Sequence, residues 1–268
     1  MPVAAFVSAR AFDPVPTALF LSPHLDDAAF SCGGTAALLA DAGWRCVIAT
    51  AFTATVPDPR GFALACQLDK GLGPEVDYMA LRRAEDAAAC AHLGAEPRWL
   101  DLPEAPHRGY ENAPALFGPV HEGDEVWRPL AEHMASLLDE LRPDAVYAPQ
   151  GLGNHVDHQQ TIRAALACLP AERVTFWRDT PYIIRDPAAR PHPAVPAGPA
   201  WRVDVAAGLE RKLAASCAYA SQIGFQFGGP EACARALRAL ALREGGGQAA
   251  ELLIGLAADP TPRHVKQS

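Results

Sequence analysis

The feature that most constrains the fold is a short apolar run that leads through a loop and a helix into a second apolar run. Residues Thr17–Ser22 form the first run, which stops at Pro23, and the second covers residues 45–50. Between them, Gly33 and Gly34 precede a helical pattern. Two buried strands joined by one helix form a βαβ unit, and its right-handed crossover makes the strands parallel.

The alternation of strands and helices continues along the chain. The sequence predicts helices over 78–93, 126–141, 158–169, 206–222 and 230–243, and strands over 98–102, 145–148 and 174–177. This order predicts an α/β fold, a three-layer α/β/α Rossmann-like arrangement with a mostly parallel sheet. Such sheets bind ligands at the carboxyl ends of their strands, so we expect an active site there.

The length of 268 residues and the absence of a sharp boundary predict one domain over residues 1–268. Three stretches rich in Pro or Gly, 53–77, 103–124 and 187–200, are predicted as loop insertions. Residues 258–268 are predicted as a frayed tail.

The composition excludes several classes of partner. The chain has 23 Lys and Arg against 31 Asp and Glu, a net charge of −8, and lacks the basic clusters that nucleic-acid binding needs. No apolar run approaches the ~18–20 residues of a membrane span. The seven cysteines form no CxxC pair, which favours buried free thiols in a reducing compartment. The first 13 residues lack a secretion-signal pattern, so we expect a cytoplasmic protein.

The first loop with candidate functional side chains covers residues 22–28 and directly follows the first predicted strand. It holds one imidazole and two adjacent carboxylates, from His24, Asp26 and Asp27. A lone cluster of this kind is typical of a turn residue and a helix cap, and either Asp can cap the helix that follows.

The second such loop covers residues 151–158 and follows the predicted strand over 145–148. It adds His155, Asp157 and His158. Asp157 alone is also typical of a turn. Two clusters of imidazole and carboxylate, each at the carboxyl end of a buried strand, favour a shared site over coincidence.

These residue types match a catalytic zinc site, which takes three His or carboxylate ligands and keeps one position open. His24 and Asp27 lie three residues apart at a strand-to-helix turn, and His158 at a helix start can supply the third ligand. The other polar side chains of the two loops are then available to orient ligands or move protons. Iron(II) uses similar ligands.

The two loops together resemble the signature of the LmbE-like, or PIG-L, family of zinc-dependent de-N-acetylases. The family motif Pro-His-x-Asp-Asp matches residues 23–27 and is followed by the Gly-Gly pair at 33–34, and His-x-Asp-His matches residues 155–158. Weaker matches are Arg-x-x-Glu at 82–85 and the Tyr-x-Ser-Gln pattern at 219–222, which follows Lys212. The resemblance covers about residues 17 to 225.

The resemblance implies a role for each motif residue. It assigns zinc to His24, Asp27 and His158, the general base to Asp26, oxyanion stabilisation or amine protonation to His155, and an orienting role to Asp157. The chain departs from the family at Ala28, where the motif continues with Glu, and at residues 103–109, which replace the usual Pro-Asp-Gly.

Arg82 lies near the start of the helix predicted over 78–93 and is expected to contact substrate, because the resemblance places it at the family's Arg-x-x-Glu motif. The alternative is a salt bridge from Arg82 to Glu85 or Asp86 within the same helix.

Two further residues, His107 and Tyr182, are also expected to bind substrate. His107 lies in the departing stretch, where Glu104 and Arg108 are its polar neighbours, and the alternative is that all three form loop surface. Tyr182 resembles a substrate-side tyrosine of the family, and the alternative is a tyrosine packed within its loop.

The function predicted from the sequence is a zinc-dependent hydrolase that removes acetyl from an N-acetylated amino sugar or its conjugate. One alternative is a metal-dependent amidase acting on another C–N bond, such as that of a thiol conjugate. Another is a noncatalytic sugar-binding module on the same fold. The expected partner is a small molecule, with no nucleic acid and no membrane span, and the sequence is compatible with a homo-oligomer.

Overall fold

The computed structural model describes residues 15–255. The predicted tail at 258–268 and the first 13 residues lie outside this range. The strands within it are β1 (Thr17–Ser22), β2 (Arg45–Phe52), β3 (Ala95–Leu102), β4 (Ala145–Pro149), β5 (Val174–Trp177), β6 (Ala200–Asp204) and β7 (Ala250–Ile254).

These strands form one sheet in the order β3-β2-β1-β4-β5-β7-β6. Strands β1 to β5 pair in parallel, whereas β7 runs antiparallel to both β5 and β6. The prediction of a mostly parallel α/β sheet is confirmed. Strands β6 and β7 were not predicted, because Arg202 interrupts the apolar pattern of β6 and a buried Glu251 interrupts that of β7.

Helices cover both faces of the sheet. They are α1 (Asp27–Asp41), α2 (Gly61–Leu68), α3 (Tyr78–Leu93), α4 (Ala113–Leu116), α5 (Trp127–Leu141), α6 (Val156–Cys168), α7 (Tyr182–Arg185), α8 (Leu209–Cys217), α9 (Ala220–Phe227) and α10 (Pro230–Glu244). None of those in the described part of the chain is long and apolar enough to cross a membrane.

The core lies in two layers because successive side chains of a strand point to opposite faces. In β1, Ala18 and Phe20 pack under α1, α3, α8 and α10, whereas Leu19 and Leu21 pack under α5 and α6. β1 is buried along its whole length, so the loop after it starts from a rigid position.

The first helix differs from its prediction. α1 begins at Asp27, before the glycine pair, and its backbone departs from helical geometry at Cys32 (φ −134°, ψ 25°). The glycines allow close packing, since a Cβ atom on Gly34 would lie 2.8 Å from Cβ of Val205.

Two other segments also differ from their predictions. The stretch 53–77, predicted as a loop insertion, contains α2 between its prolines. The helix predicted over 206–222 is divided into α8 and α9, because the chain turns at Tyr219, whose hydroxyl donates to Asp86 Oδ1 at 2.8 Å. The stretch 103–124 holds only α4 and one short 3₁₀ turn, and 187–199 has no regular element.

Candidate active site

The two polar loops meet because β1 and β4 are neighbours in the sheet. His24 follows β1, His155 immediately precedes α6 and His158 lies in its first turn. The three imidazoles each place a ring nitrogen within 4.8 Å of the others. This group of nitrogen atoms can hold a metal ion.

Asp27 lies between two of these imidazoles. Its Oδ2 atom is 3.1 Å from His24 Nδ1 and 3.2 Å from His158 Nε2, and it accepts a hydrogen bond from the His24 backbone nitrogen at 2.8 Å. The predicted ligand atoms of His24, Asp27 and His158 therefore converge on one point.

The donor atoms fit a divalent cation. His158 Nδ1 lies 2.6 Å from Asp179 Oδ1, and a proton on this nitrogen leaves Nε2 with a lone pair. Nε2 is buried without a hydrogen-bond partner and faces the Asp27 carboxylate. Burial lowers the pKa of His158, but Asp27 and Asp179 outweigh burial and raise it to about 9. The Asp27 and Asp179 carboxylates therefore favour a positive charge at His158, either a proton on the ring or a metal ion next to it.

A second carboxylate supports the other imidazole. Asp157 Oδ2 is 2.9 Å from His24 Nε2, and Asp157 Oδ1 is 2.8 Å from Arg108 Nη2. Burial opposes ionisation of Asp157, but Arg108 and His24 together hold its pKa well below the usual range. The sequence left open whether Asp157 orients His155 or a ligand, and its carboxylate contacts the proposed ligand His24. Carboxylates behind imidazoles are typical of metal sites.

Asp26 lies beside the predicted metal position and is buried. Arg82 Nη2 is 3.8 Å from Asp26 Oδ1, and Arg82 Nη1 donates to Glu104 Oε1 at 2.5 Å. Burial raises the pKa of Asp26 to about 6, against the opposing charge of Arg82. Arg82 and Glu104 thus form a charged pair next to the carboxylate predicted as the base.

The alternative salt bridges of Arg82 within its own helix are absent. Glu85 accepts hydrogen bonds from the backbone nitrogen and hydroxyl of Ser221, both at 2.7 Å. Asp86 accepts from the hydroxyl of Tyr219. These bonds join α3 to α9, and they explain why Arg82 turns towards the site instead.

His155 has a defined tautomer in this arrangement. Its Nδ1 accepts a hydrogen bond from the Asp157 backbone nitrogen at 3.2 Å, so the ring proton lies on Nε2. Burial, and then the charge of His24, lower the pKa of His155 to about 3. Its ring centroid lies 5.3 Å from that of Phe117. His155 therefore offers a neutral N–H donor to the site.

These side chains surround a cavity of about 520 Å³. The three predicted substrate contacts, Arg82, His107 and Tyr182, all line the cavity, as does Glu104. Arg108 does not: its guanidinium binds Asp124 and Asp157 instead.

Two residues of the site were not predicted from the sequence. Asp179, which supports His158, follows β5 at the same edge of the sheet, so its position after a strand was a usable signal. Phe117 lines the cavity between His155 and Tyr182, but no motif in the sequence marks it.

Residues 19–169 match the family described as PIG-L, GlcNAc-PI de-N-acetylase, over more than half of the chain. This chain belongs to the PIG-L family. Among other PIG-L proteins, it is similar to 2'-N-acetylparomamine deacetylase of Streptomyces fradiae, with 34% identity over 171 residues. It is also similar to 2'-N-acetylparomamine deacetylase of Niallia circulans, with 28% identity over 185 residues.

The match covers 61% of this chain in both cases, and only 57% and 66% of the two relatives, respectively. The likeness to solved structures is more extensive. Teicoplanin deacetylase in a zinc-inhibited form has a TM-score of 0.76 and 26% identity, over 89% of this chain and 97% of that one. A deacetylase of the pseudoaglycone of the antimicrobial reagent A40926 has a TM-score of 0.77 and 26% identity, over 90% of this chain and 98% of that one.

Proposed function

We propose that this PIG-L protein hydrolyses the acetamide of an N-acetylated amino sugar or its conjugate. The observation that carries the proposal is that His24 Nδ1 and His158 Nε2 both approach one oxygen of the buried Asp27 carboxylate, next to a cavity. The names of the relatives and structural neighbours support the same reaction. The organisation as one domain over 1–268 and the cytoplasmic location remain predictions.

We assign the metal ion to His24, Asp27 and His158, with zinc as the proposed ion and iron(II) as the alternative. When bound, the ion polarises the acetyl carbonyl and makes water a stronger nucleophile. Asp157 and Asp179 hold the two imidazoles in orientation through Nε2 of His24 and Nδ1 of His158. Metal analysis of the purified protein decides between the two ions.

Asp26 is the proposed general base. Its carboxylate lines the cavity directly before the ligand Asp27, where it can take a proton from the attacking water. Arg82, at 3.8 Å, keeps a positive charge beside Asp26 while Glu104 balances that charge. A proton held on Asp26 is then available for the leaving nitrogen.

His155 is the proposed oxyanion partner. Because its Nδ1 accepts the Asp157 backbone N–H, its Nε2–H is the donor, and a neutral donor still stabilises a developing negative charge. Arg82, His107 and Tyr182 line the remaining cavity and are proposed to contact the sugar.

The test is acetate release from N-acetylglucosamine, N,N'-diacetylchitobiose and 2'-N-acetylparomamine. We expect the Asp26→Asn variant to keep its metal and to lose activity by about 10²–10⁴-fold, the usual contribution of a general base. Asp139→Asn, on the exposed side of α5, is the matched control and should retain full activity.

Full turnover by Asp26→Asn would remove Asp26 from the base role. Release of an amine from a thiol-conjugate amide, without acetate release from any sugar, would favour the alternative amidase. Wild-type protein purified without chelator that holds no divalent metal and cleaves no amide would favour the noncatalytic sugar-binding module.

A further inference from the structure

The cavity continues outwards beyond the reaction centre. One side of this outer part is residues 53–77, which we call the outer wall, and Phe225 of α9 stands next to it. The outer wall includes α2 and ends where α3 begins. Lys70 lines the cavity from this wall and is half-buried.

The ammonium of Lys70 has unused hydrogen-bond donors. It carries three N–H donors, and one donates to the Cys66 carbonyl at 2.7 Å. Within residues 15–255, no carboxylate forms an ion pair with Lys70, whereas Arg82 pairs with Glu104. Burial, and then the charge of Arg82, lower the pKa of Lys70. The charges of Glu104 and Asp26 raise this pKa, although neither carboxylate forms an ion pair with Lys70. An ammonium with unused donors that faces a cavity is suited to bind oxygen atoms of a ligand.

Lys70 lies between two aromatic rings. Its Nζ is 5.5 Å from the ring centroid of Tyr78 and 5.2 Å from that of Phe225, which is within the range of cation–π attraction. These rings hold the ammonium in place without consuming its hydrogen-bond donors.

The same residues place Lys70 farther from the reaction centre than Arg82. Asp26 is 3.8 Å from Arg82, the Arg82 guanidinium is 5.4 Å from the Tyr78 ring, and Lys70 is 5.5 Å from that ring. Both cations therefore lie near the Tyr78 ring, and of the two only Arg82 forms an ion pair with Asp26 within the described residues. A sugar whose acetamide reaches Asp26 lies against Arg82, which leaves Lys70 for a group attached to that sugar.

Phe225 adds an apolar platform at this outer position. Its side chain is 59% exposed, although most large apolar side chains of the described residues are buried. The C–H face of a sugar ring packs against aromatic rings, while the hydroxyl groups on its rim need polar partners. The exposed phenyl ring of Phe225 supplies the apolar contact, and the ammonium of Lys70 supplies hydrogen-bond donors for the hydroxyl groups.

We propose that Lys70 and Phe225 form a second subsite that binds a hydroxylated ring attached to the N-acetylated sugar. Lys70 donates to hydroxyl oxygens of this ring, and Phe225 packs against its apolar face. The proposal rests on the proposed function for the orientation of the substrate. It predicts a preference for a neutral disaccharide over a monosaccharide, and it disfavours a second ring with protonated amines next to Lys70.

The test compares kcat/KM for N,N'-diacetylchitobiose and N-acetylglucosamine in wild type, Lys70→Met, Lys70→Arg and Phe225→Ala. We expect the disaccharide-to-monosaccharide ratio to fall about ten-fold in Lys70→Met, mainly through KM, because one charged hydrogen bond is lost. Phe225→Ala should lower the ratio as well, and Lys70→Arg should retain most of it. Arg60→Met is the control, since Arg60 is an exposed cation of the outer wall that does not line the cavity.

A disaccharide-to-monosaccharide ratio of kcat/KM that is unchanged in Lys70→Met would overturn the second subsite. So would a ten-fold loss in Lys70→Met on 2'-N-acetylparomamine, because its second ring carries protonated amines that Lys70 repels. Thermal unfolding of each variant checks that the fold is retained.

A separate measurement distinguishes a failure of this proposal from a failure of the proposed function. Calorimetric titration of N,N'-diacetylchitobiose into Asp26→Asn, with and without Lys70→Met, measures binding without turnover. If wild type releases no acetate from any sugar, the proposed function fails. A Kd that rises about ten-fold on adding Lys70→Met still supports the subsite, and an unchanged Kd contradicts it.

Discussion

The two sides of the cavity are built differently. The inner wall is formed by His24, Asp27 and His155, with His158 packed directly behind them. These side chains are nearly or fully buried, and carboxylates from α6 and from the loop after β5 hold two of the imidazoles. The outer wall, 53–77, is half-exposed over much of its length and contains one short helix between prolines. The proposed chemistry thus lies on the rigid framework, whereas the proposed second subsite lies on a peripheral segment.

The largest effect should come from removing a proposed ligand of the inner wall. We expect Asp27→Ala to lose bound metal and about a thousand-fold in acetate release, since the ion supplies several kcal/mol of transition-state stabilisation. His155→Ala should keep the metal. Metal analysis and acetate assays check both variants, and the reverse pattern of metal content would make His155 the ligand in place of Asp27.

The next largest effect concerns a buried ion pair that packs against α1. Lys212 Nζ lies 2.6 Å from Glu251 Oε1, and Glu251 also accepts hydrogen bonds from the backbone of Gly34 and Thr35 in α1. Lys212→Met leaves the Glu251 charge buried without a counter-charge, at a cost of about 3–5 kcal/mol in the free energy of unfolding.

Urea unfolding measures this cost, and Lys212→Met combined with Glu251→Gln is the matched control. The double variant should be less destabilised than Lys212→Met alone because it buries no charge. A loss of less than about 1 kcal/mol in Lys212→Met would show that Glu251 does not stay ionised.

A smaller effect is expected from the carboxylate that supports a ligand. Asp179→Asn keeps the shape of the side chain but weakens its hold on His158 Nδ1. Metal affinity should fall about 10–100-fold, as for other carboxylates behind metal-binding imidazoles. Competition with a chelator measures the affinity, and Asp139→Asn should leave it unchanged. An unaltered affinity in Asp179→Asn would mean that packing alone orients His158.

The smallest effect is predicted where the outer wall meets α3. Asp77 Oδ1 accepts hydrogen bonds from the Ala80 backbone nitrogen at 2.9 Å and from Thr55 Oγ1 at 3.0 Å. Asp77→Ala removes this helix cap and should cost about 1 kcal/mol in urea unfolding, whereas Asp77→Ser keeps a capping oxygen and should cost less. A loss as large as that of Lys212→Met would contradict the contrast between the two walls.

The two polar motifs could be placed together from the sequence, because the loop that holds each of them follows a strand that the apolar pattern marks. Parallel strands end at one edge, so His24 and His158 were expected to meet although they are far apart in the chain. The same rule applied to β5 would have added Asp179. It says nothing about the outer wall, where α2 lies in a stretch whose prolines and glycines predict a loop.

The sequence by itself determined the α/β class, the parallel strands β1 to β5 and the two motifs whose His and Asp side chains meet, because periodicity and motif spacing are local properties. Only the tertiary structure decided which side chains pair: Arg82 with Glu104, Asp157 with His24 and Arg108, and Lys70 between two aromatic rings. These pairings join residues that are distant in sequence. They follow from how buried charges find partners once the sheet and helices have packed.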